Sequence, residues 1–213
     1  MCGAAGDVAG KTIVAAAAGC SAGLVLADGL AGAGGRIVAL DRDAGRCHAL
    51  ARLSPERIET LAVDPMQPAG CARLGQLWGN TPIDLLIHLQ PLRAPDRLGA
   101  VTSAIPALTW ALLPGLRAGS GRVLIVNAVP GSGAGAAERA CRLGIDHLAE
   151  FMQHETEGRI ATNTLRIVSG GEPEPDARRV QSAIVSAALF LGFAAPGSRG
   201  VQGSTLTVCA ACD

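Results

Sequence analysis

Apolar residues occur along the chain in seven short runs, separated by longer stretches with helical spacing. The runs are almost continuously apolar, which is typical of parallel strands that are covered on both faces of a sheet. They predict strands at residues 12–16, 36–40, 58–63, 83–88, 122–127, 162–168 and 204–208. The stretches between them predict helices at residues 23–33, 44–53, 68–77, 101–116, 136–155 and 176–193.

This alternation of strand and helix predicts a Rossmann-like, doubly wound α/β fold with a parallel sheet of about seven strands. The 213 residues, 49% of them hydrophobic, suffice for one sizeable core, so we predict a single domain over residues 1–213 with an N-terminal tail at 1–10. Ligands of such folds bind at the carboxyl ends of the strands. The short segment GGEPEPDARR, residues 170–179, follows one such end and leaves little chain to cover a substrate.

The charge of the chain narrows the class of partner. Eighteen basic and eighteen acidic residues give no formal net charge, which argues against a nucleic-acid or anionic-membrane binder and favours proteins or small molecules. No apolar run reaches the roughly 18 residues that a membrane span needs. The first residues lack the basic and apolar regions of a secretory signal, so we expect a cytoplasmic protein.

Cysteine and histidine residues do not predict a metal site. The seven cysteines are scattered and odd in number, which is typical of reduced, buried thiols. Cys209 and Cys212 have the spacing of a metal-binding or redox pair, but no matching second pair is present. His147, Glu150 and His154 follow one another along a predicted helix, where a solvated helix face is the favoured interpretation.

The stretch VAAAAGCSAG, residues 14–23, connects the first strand to the first helix. In dinucleotide-binding folds this turn is rich in glycine, and its free N–H groups and helix N-terminus bind a pyrophosphate. Asp41 ends the second strand eighteen positions beyond Gly23, where a carboxylate would hydrogen-bond a ribose. Alanine and serine, however, stand at positions where glycine is expected.

With these features the chain resembles the short-chain dehydrogenase/reductase family. KTIVAAAAGCSAGLVLADGLAGAGGRIVALDRD is similar to the family's first βαβ unit, ALLPGLRAGSGRVLIV to its central helix and following strand, and GVQGSTLTV to its last strand. The resemblance covers nearly the whole chain. It implies a nicotinamide dinucleotide site in which Asp64 of LAVDP contacts the adenine ring. Asp41 would contact the adenosine ribose, which favours NAD as the cofactor.

The functional residues that the resemblance implies are largely substituted. The family's TGxxxGxG turn corresponds to residues 16–23 and retains only its third glycine, Gly23. The catalytic serine, tyrosine, lysine and asparagine correspond to Ala128, Glu138, Arg142 and Val101, and the chain contains no tyrosine at all. Glu138 and Arg142, four residues apart on a helix, predict a surface ion pair instead.

We therefore expect weak or vestigial cofactor binding, with no cofactor in the protein, or NAD if any. Alanine at a turn position with positive φ costs about 1 kcal/mol, and two substitutions of this kind weaken binding by roughly a hundredfold. The positions left to face a cofactor are Gly19, Gly23, Asp41, Asp64 and His88. Asp41 and Asp64 fit equally well as polar residues that end strands.

Three hypotheses for the function follow. The first is a catalytically inactive protein, a structural or regulatory subunit paired with an active short-chain dehydrogenase in a hetero-oligomer. The family's pairing elements correspond to the segments from Val101 to Leu116, Ala136 to Glu155, Val180 to Phe193 and Ser204 to Val208, whose apolar spacing equally fits internal packing.

The second hypothesis is an NAD(P)-dependent oxidoreductase in which His88 acts as the acid/base, titrating near neutral pH. The third is an adenine-nucleotide-sensing module that depends on Asp41.

Overall fold

The computed structural model describes residues 8–168, 177–193 and 202–208. In the helix at 177–193, side chains are described from residue 181 onward. The strands are β1 Thr12–Ala16, β2 Arg36–Asp41, β3 Ile58–Ala62, β4 Leu85–His88, β5 Arg122–Ala128, β6 Thr162–Ile167 and β7 Thr205–Val208. The helices are α1 Ser21–Gly32, α2 Ala44–Leu53, α3 Pro68–Trp78, α4 Gln90–Arg93, α5 Leu98–Ala111, α6 Leu113–Gly119, α7 Ala136–Glu155 and α8 Ala177–Phe193.

All seven strands pair in parallel in one sheet of order β3-β2-β1-β4-β5-β6-β7. The predicted doubly wound α/β fold is therefore confirmed. The strand order reverses between β1 and β4, and the register places Ala16 beside Leu40 on one side and His88 on the other. Because ligands bind where the order reverses, the candidate site lies at the carboxyl ends of these three strands.

Two hydrophobic cores cover the two faces of the sheet. One packs α1 and α8 against it, with Leu26, Leu30 and Ala188 among its fully buried side chains. The other packs α3, α5 and α7 against the opposite face and contains Val101 and Ile145. Strands covered on both faces explain why the strand segments are almost continuously apolar.

The structure corrects the prediction for residues 101–116. In place of one helix there are two, α5 and α6, which meet at Leu112. Pro114 lies in the first turn of α6 and has no N–H to continue the helical ladder of α5. The sequence prediction also omitted the short helix α4 and the 3₁₀ turn Pro95–Arg97 that follows it. The segment 170–176 and the pair Cys209 and Cys212 lie outside the described residues.

Among the helices of the described ranges, none is by itself both long and apolar enough to cross a bilayer. Pro95–Ala111 and Leu113–Gly119 meet the requirement of length and composition only when taken together, and they are bent by 58° against each other.

Gly23 lies where α1 passes closest to the turn that leaves β1. A Cβ atom added to Gly23 would lie 2.2 Å from the carbonyl oxygen of Ala18, a backbone atom that a side-chain rotation does not move away. Helix and turn are thus packed as closely as the absence of a side chain at Gly23 allows. Gly23 therefore serves the fold whether or not a ligand binds.

We predict that Gly23→Ala lowers the free energy of unfolding by about 1–3 kcal/mol, because the new methyl group forces the turn away from the helix. Gly99→Ala is the matched control, since a Cβ at this helical glycine meets nothing within 4 Å. The control should change stability by no more than about 1 kcal/mol, in the stabilising direction. Urea denaturation measures both, and equal stability of the Gly23 variant and the wild type would contradict the prediction.

Candidate functional site

The turn between β1 and α1 is built with alanine where backbone freedom is needed. Ala17 has φ 60°, in the left-handed region that glycine adopts at little cost. The helix begins at Ser21, and Cys20 before it makes no capping hydrogen bond with its side chain. Burial raises the pKa of the Cys20 thiol, which therefore stays protonated at neutral pH. The positive φ expected for an alanine of this turn is confirmed.

Asp41 is buried, with 1% of its surface exposed, and its carboxylate closes the same turn. Its Oδ2 accepts a hydrogen bond of 2.9 Å from the N–H of Gly19, and its Oδ1 accepts one of 3.0 Å from the N–H of Asp43. Arg93 of α4 lies 3.4 Å from Oδ2 and neutralises the charge. The N–H of Gly19, a turn amide of the kind that binds phosphate in dinucleotide-binding folds, is thus hydrogen-bonded within the chain.

The space beside Gly19 is also occupied. A Cβ on Gly19 would lie 2.5 Å from Asp41 Oδ2 and 2.7 Å from the Cδ of Arg46. Arg46 also donates a hydrogen bond from Nη1 to the carbonyl oxygen of Gly19. Protein atoms therefore surround Gly19, and a pyrophosphate would have to displace them.

Asp64 lies just beyond the end of β3 and lines the same cavity as Asp41. Its Oδ1 accepts a hydrogen bond of 2.9 Å from the N–H of Met66, and its carbonyl oxygen accepts one from the N–H of Gln67. The structure thus brings Asp41 and Asp64 to one cavity, as predicted. Both also stabilise the turns that follow their strands.

His88, at the end of β4, is completely buried. Its Nε2 lies 2.8 Å from Thr109 Oγ1 of α5, and its Nδ1 lies 3.2 Å from Gln90 Oε1. Burial lowers the pKa of His88 from 6.5 to about 4. The expectation that His88 titrates near neutral pH is therefore wrong. Thr109 and Gln90, its partners, carry no sequence signal that would have revealed this contact.

The pKa of His88 predicts a pH dependence of stability. The folded protein resists protonating His88 and the unfolded chain does not, so the stabilisation is complete above pH 6.5 and is lost as the pH falls toward 4. The loss is on the order of 3 kcal/mol. In urea denaturation between pH 7.5 and 4, His88→Gln should show a flatter dependence than the wild type. His48→Gln, at an exposed histidine, should keep the wild-type slope, and identical slopes in all three proteins would contradict the prediction.

The four residues that the resemblance aligns with the family's catalytic groups lie on α5, β5 and α7. Val101 is fully buried in the core beneath the sheet, and Ala128 ends β5. Arg142 Nε donates a hydrogen bond of 2.9 Å to Glu138 Oε1. The predicted ion pair is therefore present, but only its Glu138 half is at the surface: the side chain of Glu138 is 39% exposed and that of Arg142 only 7%.

Arg142 belongs to a buried polar network between β5, β6 and α7. Its Nη1 donates to Asn127 Oδ1 at 3.1 Å, and Asn127 Nδ2 donates to Asp146 Oδ1 at 3.0 Å. Arg166 of β6 in turn donates to Asp146 Oδ2 at 2.8 Å. Each of these charged groups has a partner of opposite charge or a hydrogen-bonding amide, which is how buried charges are stabilised. The network holds α7 to the sheet.

Possible metal ligands do not converge in the described part of the chain, where no three histidine, cysteine or acidic side chains come close enough to hold an ion. His147 Nδ1 lies 3.5 Å from Glu150 Oε2 on the exposed face of α7. The thiols of Cys20, Cys47, Cys71 and Cys141 are free.

Comparison with known proteins gives matches only among solved structures, since no protein-family model and no curated protein matches the sequence. Pseudomonas aeruginosa RhlG, in its NADP active-site complex, is 19% identical with a TM-score of 0.75 over 95% of this chain and 96% of that one. The chain therefore shares its fold with a protein that was solved in complex with NADP. The fold implied by the resemblance to the short-chain dehydrogenases/reductases is thereby confirmed.

Two further solved structures share this fold. A Burkholderia cenocepacia gluconate 5-dehydrogenase, in complex with NADP and tartrate, is 23% identical with a TM-score of 0.74, covering 94% of each chain. The NADH-dependent reductase A1-R′, responsible for alginate metabolism, is 20% identical with a TM-score of 0.73 over 95% of this chain and 97% of that one. The match over nearly full length on both sides places the carboxyl edge of β1, β2 and β4 where such folds bind ligands.

Proposed function

We propose that this protein is a catalytically inactive relative of the short-chain dehydrogenases/reductases, acting as a structural or regulatory subunit beside an active homologous subunit. The observation that carries the proposal is the position of Arg142. It takes the place of the family's catalytic lysine, yet its guanidinium is buried and bonded to Asn127 and Glu138. A group held in this way stabilises the fold and does not exchange protons with a substrate.

The chemistry of the edge supports this proposal. Reduction of a carbonyl in the family requires an acid that donates a proton to the forming alcohol, and the chain contains no tyrosine for that role. His88 has no exposed surface and a pKa of about 4, so it is a poor acid/base at neutral pH. The alternative of an oxidoreductase that uses His88 is therefore not favoured.

We predict no oxidation of NADH or NADPH by the purified protein with carbonyl substrates, measured by absorbance at saturating substrate against an intact short-chain dehydrogenase as the positive control. Fluorescence titration should show NADH affinity about a hundredfold or more below that of the control, because of the alanine and serine in the turn. Turnover by the wild type that His88→Gln abolishes would instead support the oxidoreductase alternative.

The proposed pairing surface is the outer face of α7. Leu143 and Phe151 are 53% and 62% exposed and lie eight residues apart on this face, whereas Ile145 and Met152 of the same helix are buried. Gly144, beside Leu143, has open space around it, so a partner helix could approach closely. Phe190 of α8 and Leu206 of β7 are exposed as well, and we infer a second pairing surface on these two elements. Exposed large apolar side chains on one helix face are typical of interaction surfaces.

We predict that the protein purifies from its native extract in a stoichiometric complex with a homologous dehydrogenase, identified by mass spectrometry. Phe151→Glu should dissociate this complex in analytical ultracentrifugation, because it places a charge in an apolar interface. Leu77→Glu is the control, since Leu77 is 79% exposed on α3, away from the proposed surfaces. Recovery of a lone monomer or a strict homo-oligomer would contradict the proposed subunit role.

A further inference from the structure

The cavity at the carboxyl edge has a volume of about 140 Å³. It is lined by the turn after β1, the ends of β2 and β3, the helix α4 and the 3₁₀ turn Pro95–Arg97. Pockets for drug-sized ligands have volumes of about 300–1,000 Å³. The enclosed volume therefore suits a compact ligand.

Three arginine side chains line this cavity, namely Arg42, Arg93 and Arg97. Arg93 is engaged by the buried Asp41 at 3.4 Å. The guanidinium groups of Arg42 and Arg97 make no hydrogen bond or ion pair to any residue that the structure describes. Two uncommitted guanidinium groups at one cavity favour a phosphate, whose oxygens match their donor geometry.

Gln90 provides a second and independent indication of a ligand. It lines the cavity and is completely buried, and its Oε1 contacts His88. Its Nε2 amide has no hydrogen-bond partner within the described ranges of the chain. A buried donor without an acceptor is unfavourable, and an oxygen atom of a ligand in the cavity would satisfy it.

The acidic lining decides what accompanies the phosphate. Asp64 and Asp96 also line the cavity, and they would repel a bare anion. Hydroxyl groups, in contrast, donate hydrogen bonds to carboxylates. A ligand with one phosphate and several hydroxyl groups therefore complements both kinds of side chain.

We propose that this cavity binds a small phosphorylated sugar and not a dinucleotide. The phosphate lies against Arg42 and Arg97, the hydroxyl groups donate to Asp64 and Asp96, and a ligand oxygen accepts from Gln90 Nε2. The pyrophosphate of a dinucleotide is excluded because the N–H of Gly19 is held by Asp41 and the adjacent space is filled by Arg46. This binding is independent of the proposed subunit role.

Isothermal titration calorimetry of the wild-type protein with ribose 5-phosphate, ribose, inorganic phosphate and NADP tests the proposal. Ribose 5-phosphate should bind at least about tenfold more tightly than each of the other three. It alone carries a phosphate and sugar hydroxyl groups without the second nucleotide that NADP contains. Arg42→Gln and Arg97→Gln should each weaken its binding by about tenfold or more, because each removes a charge-assisted hydrogen bond. Arg117→Gln, an exposed arginine of α6 before the amino end of β5, should leave binding unchanged.

The opposite results overturn the proposal in separable ways. No heat of binding with ribose 5-phosphate, or an equal loss in the Arg117 variant, would remove the phosphate site. Inorganic phosphate binding as tightly as ribose 5-phosphate would remove the sugar. Tighter binding of NADP would show that the cavity belongs to a dinucleotide site. None of these outcomes bears on whether the protein pairs with another subunit, which ultracentrifugation measures by itself.

Discussion

A carboxylate that is removed from water is stable only when hydrogen bonds and an opposite charge replace its hydration, and the carboxyl edge of this sheet depends on how Asp41 meets that requirement. Its partners come from three segments: the turn after β1 through Gly19, the turn after β2 through Asp43, and α4 through Arg93. One side chain thus joins the ends of β1, β2 and β4. The conformation of the carboxyl edge follows from these contacts.

A similar constraint acts at the other end of the edge. Arg142 and Asp146 are buried between α7 and the sheet, where Asn127, Glu138 and Arg166 supply their partners. Both Asp41 and Arg142 stand where the related family has functional groups, and here both bind other parts of the chain. Side chains whose hydrogen bonds are used inside the fold are not available to a ligand.

The small residues of the first turn show which requirements of the fold remain. Gly23 meets a steric requirement, since the carbonyl of Ala18 leaves no room for a side chain. Ala17 violates a conformational preference, with φ 60°, at a cost of about 1 kcal/mol. A cost of that size is tolerated within a folded core, whereas a Cβ atom only 2.2 Å from a backbone oxygen would force the backbone to shift. Packing therefore retains Gly23, while the glycine expected for a phosphate at position 17 is absent.

The sequence alone determined the fold class, a parallel sheet of about seven strands and most element positions, because buried parallel strands leave continuous apolar runs such as residues 122–127. The family resemblance also implied that Asp41 and Asp64 face one site, and both line the cavity at the carboxyl edge. Only the tertiary structure decided what these groups touch. His88 reads as a titratable residue until α5 buries it against Thr109, and Glu138 and Arg142 read as a surface pair until the sheet encloses the guanidinium. Periodicity records which face of an element is apolar, but the protonation and partners of a polar side chain depend on residues distant in the chain that folding brings beside it.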